Sequence, residues 1–267
     1  MQALVRPPVV AGLFYPDDPA ELRSLIERYL EEARPSSSEV VPKAIIAPHA
    51  GYVYSGPIAA SAFKTLAPAA GKITRVVLLG PSHFAPIRGL ALPDHPRLGT
   101  PLGELKGDPE GCGASLRLPQ VRVQPEAHVR EHSLEVELPF IQVLLGDVSL
   151  VPLAVGNASA EEVAEVLERV WGGPETVIVI SSDLSHYLPY DVARSVDRAT
   201  ADEILALGGP LEPEQACGAL PINGLLLAAR RHGLTPELID LRSSGDTAGD
   251  RSRVVGYGAF AFRENAA

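Results

Sequence analysis

Cysteine is almost absent from this chain. Cys112 and Cys217 are the only two in 267 residues, too few for a disulfide framework. No apolar run approaches the roughly 20 residues that a helical membrane span needs. The opening segment, Met1-Gln2-Ala3-Leu4-Val5-Arg6-Pro7-Pro8, lacks the basic-then-apolar order of a signal peptide. Positive charge is in short supply: 23 Lys and Arg face 33 Asp and Glu, for a formal charge of −10. That balance argues against a nucleic-acid or anionic-membrane surface, and no block of like charge suggests a tail. A P-loop, a G-x-G-x-x-G turn and a G-x-S-x-G elbow are all missing, which leaves nucleotide binding and elbow-type hydrolysis without a motif. These absences lead us to expect a cytoplasmic protein with neither nucleic acid nor membrane as partner. A single Met and 25 prolines fit a heat-adapted composition.

What the chain does have is three apolar runs that each end in a histidine-bearing turn. They are Ala44-Ile45-Ile46-Ala47-Pro48-His49, Val76-Val77-Leu78-Leu79-Gly80-Pro81-Ser82-His83, and Val177-Ile178-Val179-Ile180-Ser181-Ser182-Asp183-Leu184-Ser185-His186. Short Val/Ile/Leu runs bounded by Gly, Pro or Ser read as buried strands of a largely parallel sheet. Residues just beyond the C-terminal ends of such strands share one crevice, where open α/β sheets bind ligands.

Hydrophobic residues make up 46% of the chain, enough for a full core. Asp18-Pro19-Ala20-Glu21 has the order of a helix start: a cap, Pro at the first position, and Glu three residues after the cap. Leu22, Leu25, Ile26, Tyr29 and Leu30 continue it at helical spacing. A small-residue helix is expected around 58–66, and a further one over 134–145 with Pro139 as a kink or as the true start. Strand 148–154, helix 160–171 and strand 176–180 form a βαβ-like series. Helices over 191–207 and 221–232 and strands over 237–241 and 254–262 complete the pattern. Residues 84–125 break into short extended pieces, with Cys112 in a Gly-flanked loop. This stretch reads as a β-rich excursion beside the site, because it lacks the apolar residues for a core of its own. One α/β domain spanning residues 1–267, with a central mixed, largely parallel sheet flanked by helices, is the expected fold.

Neutral imidazole suits Zn, Cu, Fe and Ni, and a thiolate adds softness that favours Cu(I), Zn or Fe. His49 and His83, displayed on turns, are the leading pair of metal ligands, and Cys217 is the candidate third. The bland alternative for Cys217 is a small core residue. Asp183 and His186 offer a carboxylate and a further imidazole for acid/base or supporting work. Tyr52, Tyr54 and Tyr187 are expected to line the pocket, with Glu131 and His132 pointing into it. His128-Val129-Arg130-Glu131-His132 matches the H-x-x-E-H of inverted zinc peptidases. That chemistry needs both His on one helical face, whereas Pro125 lies just upstream and the apolar rhythm begins only at Leu134. His95 and His232 read as structural.

Six blocks, in this order, resemble the Memo family, whose prokaryotic members are also called protein B of the AmmeMemoRadiSam system. They are Arg6-Pro7-Pro8-Val9-Val10-Ala11-Gly12-Leu13-Phe14-Tyr15-Pro16, Ala47-Pro48-His49-Ala50-Gly51-Tyr52, Gly80-Pro81-Ser82-His83, Glu131-His132-Ser133-Leu134-Glu135, Ser181-Ser182-Asp183-Leu184-Ser185-His186-Tyr187 and Cys217-Gly218. The resemblance runs from Arg6 to Phe262. It implies a fold similar to class III extradiol ring-cleaving dioxygenases, which hold non-haem Fe(II) with two His and a Glu. It also implies a ligand triad at His49, His83 and Cys217, with His186 at the position of the dioxygenase's catalytic His and Asp183 beside it. Iron(II) or copper, with zinc less favoured, and an oxidoreductase activity are the implied chemistry. The alternative is a non-catalytic module that captures a peptide or protein in the same cleft; the family name also points to a radical-SAM partner. Because Cys stands in place of Glu, ring cleavage does not carry over with the fold.

Overall fold

In the computed structural model, which describes residues 4–264, the apolar runs form the middle of a 12-stranded sheet. The elements in chain order are β1 (Val5–Arg6), α1 (Pro19–Glu32), β2 (Ala44–Ala47), α2 (Tyr52–Lys64), β3 (Arg75–Pro81), β4 (Leu90–Leu92), β5 (Arg97–Thr100), β6 (Gly103–Gly107), α3 (Pro109–Ser115) and β7 (Val121–Val123). They continue with α4 (Leu138–Leu145), β8 (Ser149–Val155), α5 (Ala160–Arg169), β9 (Thr176–Ser181), β10 (His186–Leu188), α6 (Tyr190–Leu205), α7 (Ala219–His232), β11 (Leu234–Ser243) and β12 (Val254–Glu264). Strands β8, β3, β9 and β2 are adjacent and mutually parallel. β12 closes this block antiparallel to β2 and pairs with both β11 and β10.

The strand period of two explains the layering. Ile45, Val76, Leu78, Val177 and Val179 pack into one core with α1, α2 and α4. Ile46, Val77, Leu79, Ile178 and Ile180 face a second core with α5 and α7. Both faces of the parallel block are therefore covered, as its continuous apolar runs require. In register, Ala47 lies opposite Ser181, and Leu79 opposite Ile180, so β2, β3 and β9 end at one level.

Local signals fix most helix ends. The Asp18 carboxylate accepts from the Ala20 and Glu21 amides to start α1, and Ser159 and Glu162 form a capping box on α5. α7 stops at Gly233, in the left-handed region at φ 63°. Pro139 is the second residue of α4, in its first turn, so it sits where proline is tolerated and does not kink the helix.

Three expectations change. α2 begins at Tyr52, not near residue 58, and runs through Gly56-Pro57. The Gly-Pro pair reads as a breaker, yet a Cβ at Gly56 would lie 2.5 Å from the Tyr29 ring of α1, so interhelical packing selects glycine there. Residues 84–125 hold β4 to β7 but also helix α3, and Cys112 sits in that helix, not in a loop. Asp108 caps it and Pro109 starts it; its glycines hide the signal, although Gly111 is needed where a Cβ would come 2.5 Å from Val151. β11 spans Leu234–Ser243, twice the expected length, because it follows β12 along most of its course.

The α5–α7 contact generates a stability prediction. A Cβ at Gly224 would sit 2.2 Å from Val163 Cγ1, so Gly224→Ala must separate two packed helices. Its helix propensity gain of about 1 kcal/mol should lose to an overpacking cost of ~1–3 kcal/mol. Urea unfolding of the variant should show a lower midpoint at unchanged slope; equal or greater stability would mean the helices part without cost.

Candidate metal centre

The turns after β2, β3 and β9 bring His49, His83, Asp183 and His186 to the rim of one cavity of about 880 Å³. Among the described residues, the rings of His49, His83 and His132 form a cluster in which one nitrogen from each lies within 4.8 Å of the others. Ring centroids are 5.3 Å apart for His49 and His83, and 5.0 Å for the stacked pair His83 and His132.

Each ring is held from behind. His83 Nδ1 is 2.9 Å from Glu131 Oε1, and an ionised carboxylate only accepts, so Nδ1 carries a proton and Nε2 is the nitrogen left to face the site. The same carboxylate accepts from the backbone amides of His83, His132 and Ser133. Burial alone would raise its pKa, but the His83 ring and these amides outweigh it and bring Glu131 down to about 2. His49 is tied through Nδ1 to the Ser181 hydroxyl at 2.8 Å and through its amide to Asp183 Oδ1 at 2.8 Å. Burial, and then the neighbouring His83 and His132, hold His49 well below the usual imidazole range; burial also lowers His132. Both rings are thereby kept in the neutral form that binds metals.

Cys217 lies just ahead of α7; its sulfur stands beside His49 but outside the cluster of His49, His83 and His132. Its Sγ is 3.4 Å from His49 Nε2 and accepts the Asp183 amide at 3.3 Å. Burial, then the Asp183 charge, push the thiol far up, so a cation would be needed to hold it as thiolate. Neutral imidazoles directed at one point, a sulfur against one of them, and a carboxylate–histidine pair behind suit a borderline or soft transition ion.

The remaining expected residues separate into groups. His186 and Tyr54 line the cavity, with Tyr187 at its mouth, 62% exposed. Burial lowers the His186 pKa, and a hydrogen bond to the Leu184 backbone opposes it. Asp183 lines the cavity too, but its carboxylate is bonded to the turn carrying His49; burial raises it to about 7. Tyr52 does not line the pocket: it is 1% exposed in the core, and its hydroxyl donates to the Val136 carbonyl. Alternation after Gly51 turns Tyr52 inward on α2 and leaves Tyr54 outside.

His128 and His132 do not share a helix, so the H-x-x-E-H pattern has no metallopeptidase geometry. The segment lies in turns between two short 3₁₀ segments, Pro125–Ala127 and Glu135–Glu137, and the His128 ring donates through Nε2 to the Ala91 carbonyl. His95 pairs with Asp94, while His232 stacks on Trp171 at 3.8 Å and bonds Glu168.

Sequence reasoning placed His132 in the pocket but not among the clustered imidazoles, because no strand run precedes it. It also missed the clamp behind. Arg6 pairs with Glu135 at 2.8 Å and donates to the backbone carbonyls of His128 and Glu131. Glu135 also accepts from the Val9 and Val10 amides and the Tyr15 hydroxyl. The block 6–16 is thereby locked to the segment that carries Glu131 and His132. Both partners lie in blocks that carry the family resemblance, and Arg6 stands out as a lone charge between Leu4-Val5 and Pro7-Pro8.

His128 generates a pH prediction. Burial lowers its pKa to about 4, against a weaker opposing effect of the Ala91 carbonyl. The unfolded chain, with a His pKa near 6.5, binds the proton more readily than the fold. Its contribution is therefore complete above pH ~6.5 and lost as pH falls toward 4, by ~3 kcal/mol at most. His128→Gln keeps a donor for Ala91 and removes the titration. Its stability should fall less than the parent's between pH 6.5 and 4 in urea titrations; parallel curves would show that His128 does not contribute.

A family model described as Memo-like protein matches residues 6–261. A MEMO1 family protein of Sulfolobus acidocaldarius is 34% identical, the match covering 95% of this chain and 98% of the relative. One from Methanopyrus kandleri is 36% identical over 97% and 99%. Among solved structures, an uncharacterized protein from Escherichia coli K12 shares the fold with a TM-score of 0.53 at 17% identity, covering 80% of this chain and 98% of that one. No helix among the described residues is long and apolar enough to cross a membrane. Matched almost end to end by the family model and by its relatives, this chain belongs to the Memo family.

Proposed function

We propose that this protein binds one iron or copper ion through His49, His83 and Cys217 and uses it in oxidoreductase chemistry on a small molecule or peptide held in the cavity. The observation that carries this reading is the convergence of His49 and His83, whose Nδ1 atoms are already engaged, with the Cys217 sulfur 3.4 Å from His49 Nε2. Asp183 contributes by donating its backbone N–H to that sulfur, which favours the thiolate, while its carboxylate holds the His49 turn. Thiolate donation favours iron or Cu(I) over harder ions. When bound, such an ion supplies one-electron redox chemistry or activation of a bound oxygen donor.

The chain's own residues supply the rest. His186, uncharged at neutral pH, accepts a proton from a substrate hydroxyl or amine in the cavity. Tyr54 and Tyr187 offer apolar faces with polar tips at the entrance. His132 packs face to face with His83 and closes the cavity beside it.

Protein purified without oxygen should carry close to one ion per chain, and His49→Ala or His83→Ala should abolish loading. Metal retained in both variants would refute the site. Cys217→Ser should weaken Cu(I) by ~10-fold or more, whereas His132→Ala should have the smaller effect; the reverse ranking would make His132 the third donor. Glu131→Ala should weaken the ion by ~10–100-fold, as loss of a carboxylate behind a ligating His does. A peptide held equally well before and after EDTA, with no turnover of any phenol or catechol, would favour the binding-module reading instead.

A further inference from the structure

Behind His49 lies a polar group that the metal chemistry leaves unexplained. Glu137 is wholly buried in a 3₁₀ turn. Its Oε1 is 2.7 Å from Ser181 Oγ, its Oε2 has no hydrogen-bond partner, and no basic side chain pairs with it among the described residues. The Ser181 hydroxyl, at the end of β9, has three close neighbours: Glu137 Oε1, the Ser133 carbonyl at 2.6 Å and His49 Nδ1 at 2.8 Å.

A hydroxyl has one proton to give and two lone pairs to receive with. The Ser133 carbonyl can only accept. If Ser181 gives it the proton, both other neighbours must be donors: Glu137 as the neutral acid and His49 through Nδ1–H. This is the one assignment that makes all three short contacts hydrogen bonds. Were His49 protonated on Nε2 instead, Ser181 would have to donate to Nδ1, and the Ser133 contact would become a repulsion between two oxygens. Burial, opposed by the Ser181 contact and reinforced by the Asp183 charge, pushes the Glu137 carboxyl well above its usual range. A buried carboxyl in apolar surroundings keeps its proton for the same reason.

We propose that Ser181 and Glu137 are positioning residues: a neutral Glu137 donates to Ser181, which directs its own proton to Ser133 and so holds His49 with Nδ1 protonated and the Nε2 lone pair facing the site. The inference rests on the metal-binding reading for its purpose, but its geometry is a property of the metal-free chain. His49 and His83 then reach the same tautomer by different means. His83 uses an ionised carboxylate directly, and His49 uses a neutral acid relayed through a hydroxyl, which adds no second buried negative charge.

The test is two-bond ¹H–¹⁵N correlation of ¹⁵N-histidine-labelled, metal-free protein, followed by Cu(I) and Fe(II) titration. Parent His49 should show a protonated Nδ1 and an unprotonated Nε2. Glu137→Gln keeps an uncharged donor to Ser181, and should preserve both the tautomer and the metal affinity within about threefold. Ser181→Ala should give mixed His49 tautomers and a loss of ~10–100-fold in affinity. An unprotonated Nδ1 in the parent, or an unchanged spectrum in Ser181→Ala, would overturn the proposal. So would a tenfold loss in Glu137→Gln, which would mean that Glu137 acts as an anion. Should Ser181→Ala fail to fold, the parent and Glu137→Gln spectra decide the matter. Should no metal bind to the parent, the spectra still decide this inference, while the metal reading alone fails.

Discussion

One buried carboxylate organises the site. Glu131 receives the His83 ring and three chain amides, at His83, His132 and Ser133, and so joins the turn after β3 to a loop nearly fifty residues further on. Without those donors, a charge so deeply placed would be too costly to keep; with them it stays ionised and sets the tautomer of His83. The Arg6–Glu135 pair performs the same service one layer out, with each charge satisfied by additional hydrogen bonds. Pairing of that quality is what allows ions to persist in an interior.

The carboxyl groups around the imidazoles are driven in different directions by their surroundings. Glu131, rich in N–H donors, lies far below the ordinary range, while Glu137, with a single hydroxyl neighbour and an unpartnered oxygen, lies far above it. Asp183 falls between, raised by burial but tempered by the amides of the His49 turn. Three similar side chains thus take three electrostatic roles: a fixed anion, a neutral donor and a backbone anchor. The identity of the residue specifies none of these, because each depends on how many donors the fold delivers to it.

Legibility differed by element. The strands of the parallel block could be read directly, since a strand buried on both faces must be apolar at every position. The capping order at Asp18 marked the start of α1. α3 and the first turn of α2 were hidden because close packing demanded glycine at Gly111 and Gly56, and glycine lowers helix propensity. In the site, His49, His83 and His186 were visible because each follows a strand. His132 and Glu137 were not ranked with them, because they sit in turns whose only regularity is the tertiary contact.

By itself, then, the sequence determined which apolar runs form the parallel strands, that the three strand-end turns open on one crevice, and that imidazole and sulfur are the donor types available there. Those properties follow from period, apolarity and side-chain chemistry, which are local. Tertiary structure alone decided that His132 joins His49 and His83, that Tyr52 faces the core while Tyr54 faces the cavity, and that Asp183 braces the His49 backbone. It also decided which buried acids carry charge. These outcomes turn on distances of a few ångströms between residues up to 168 positions apart, as for His49 and Cys217, and no local pattern in a chain encodes such distances.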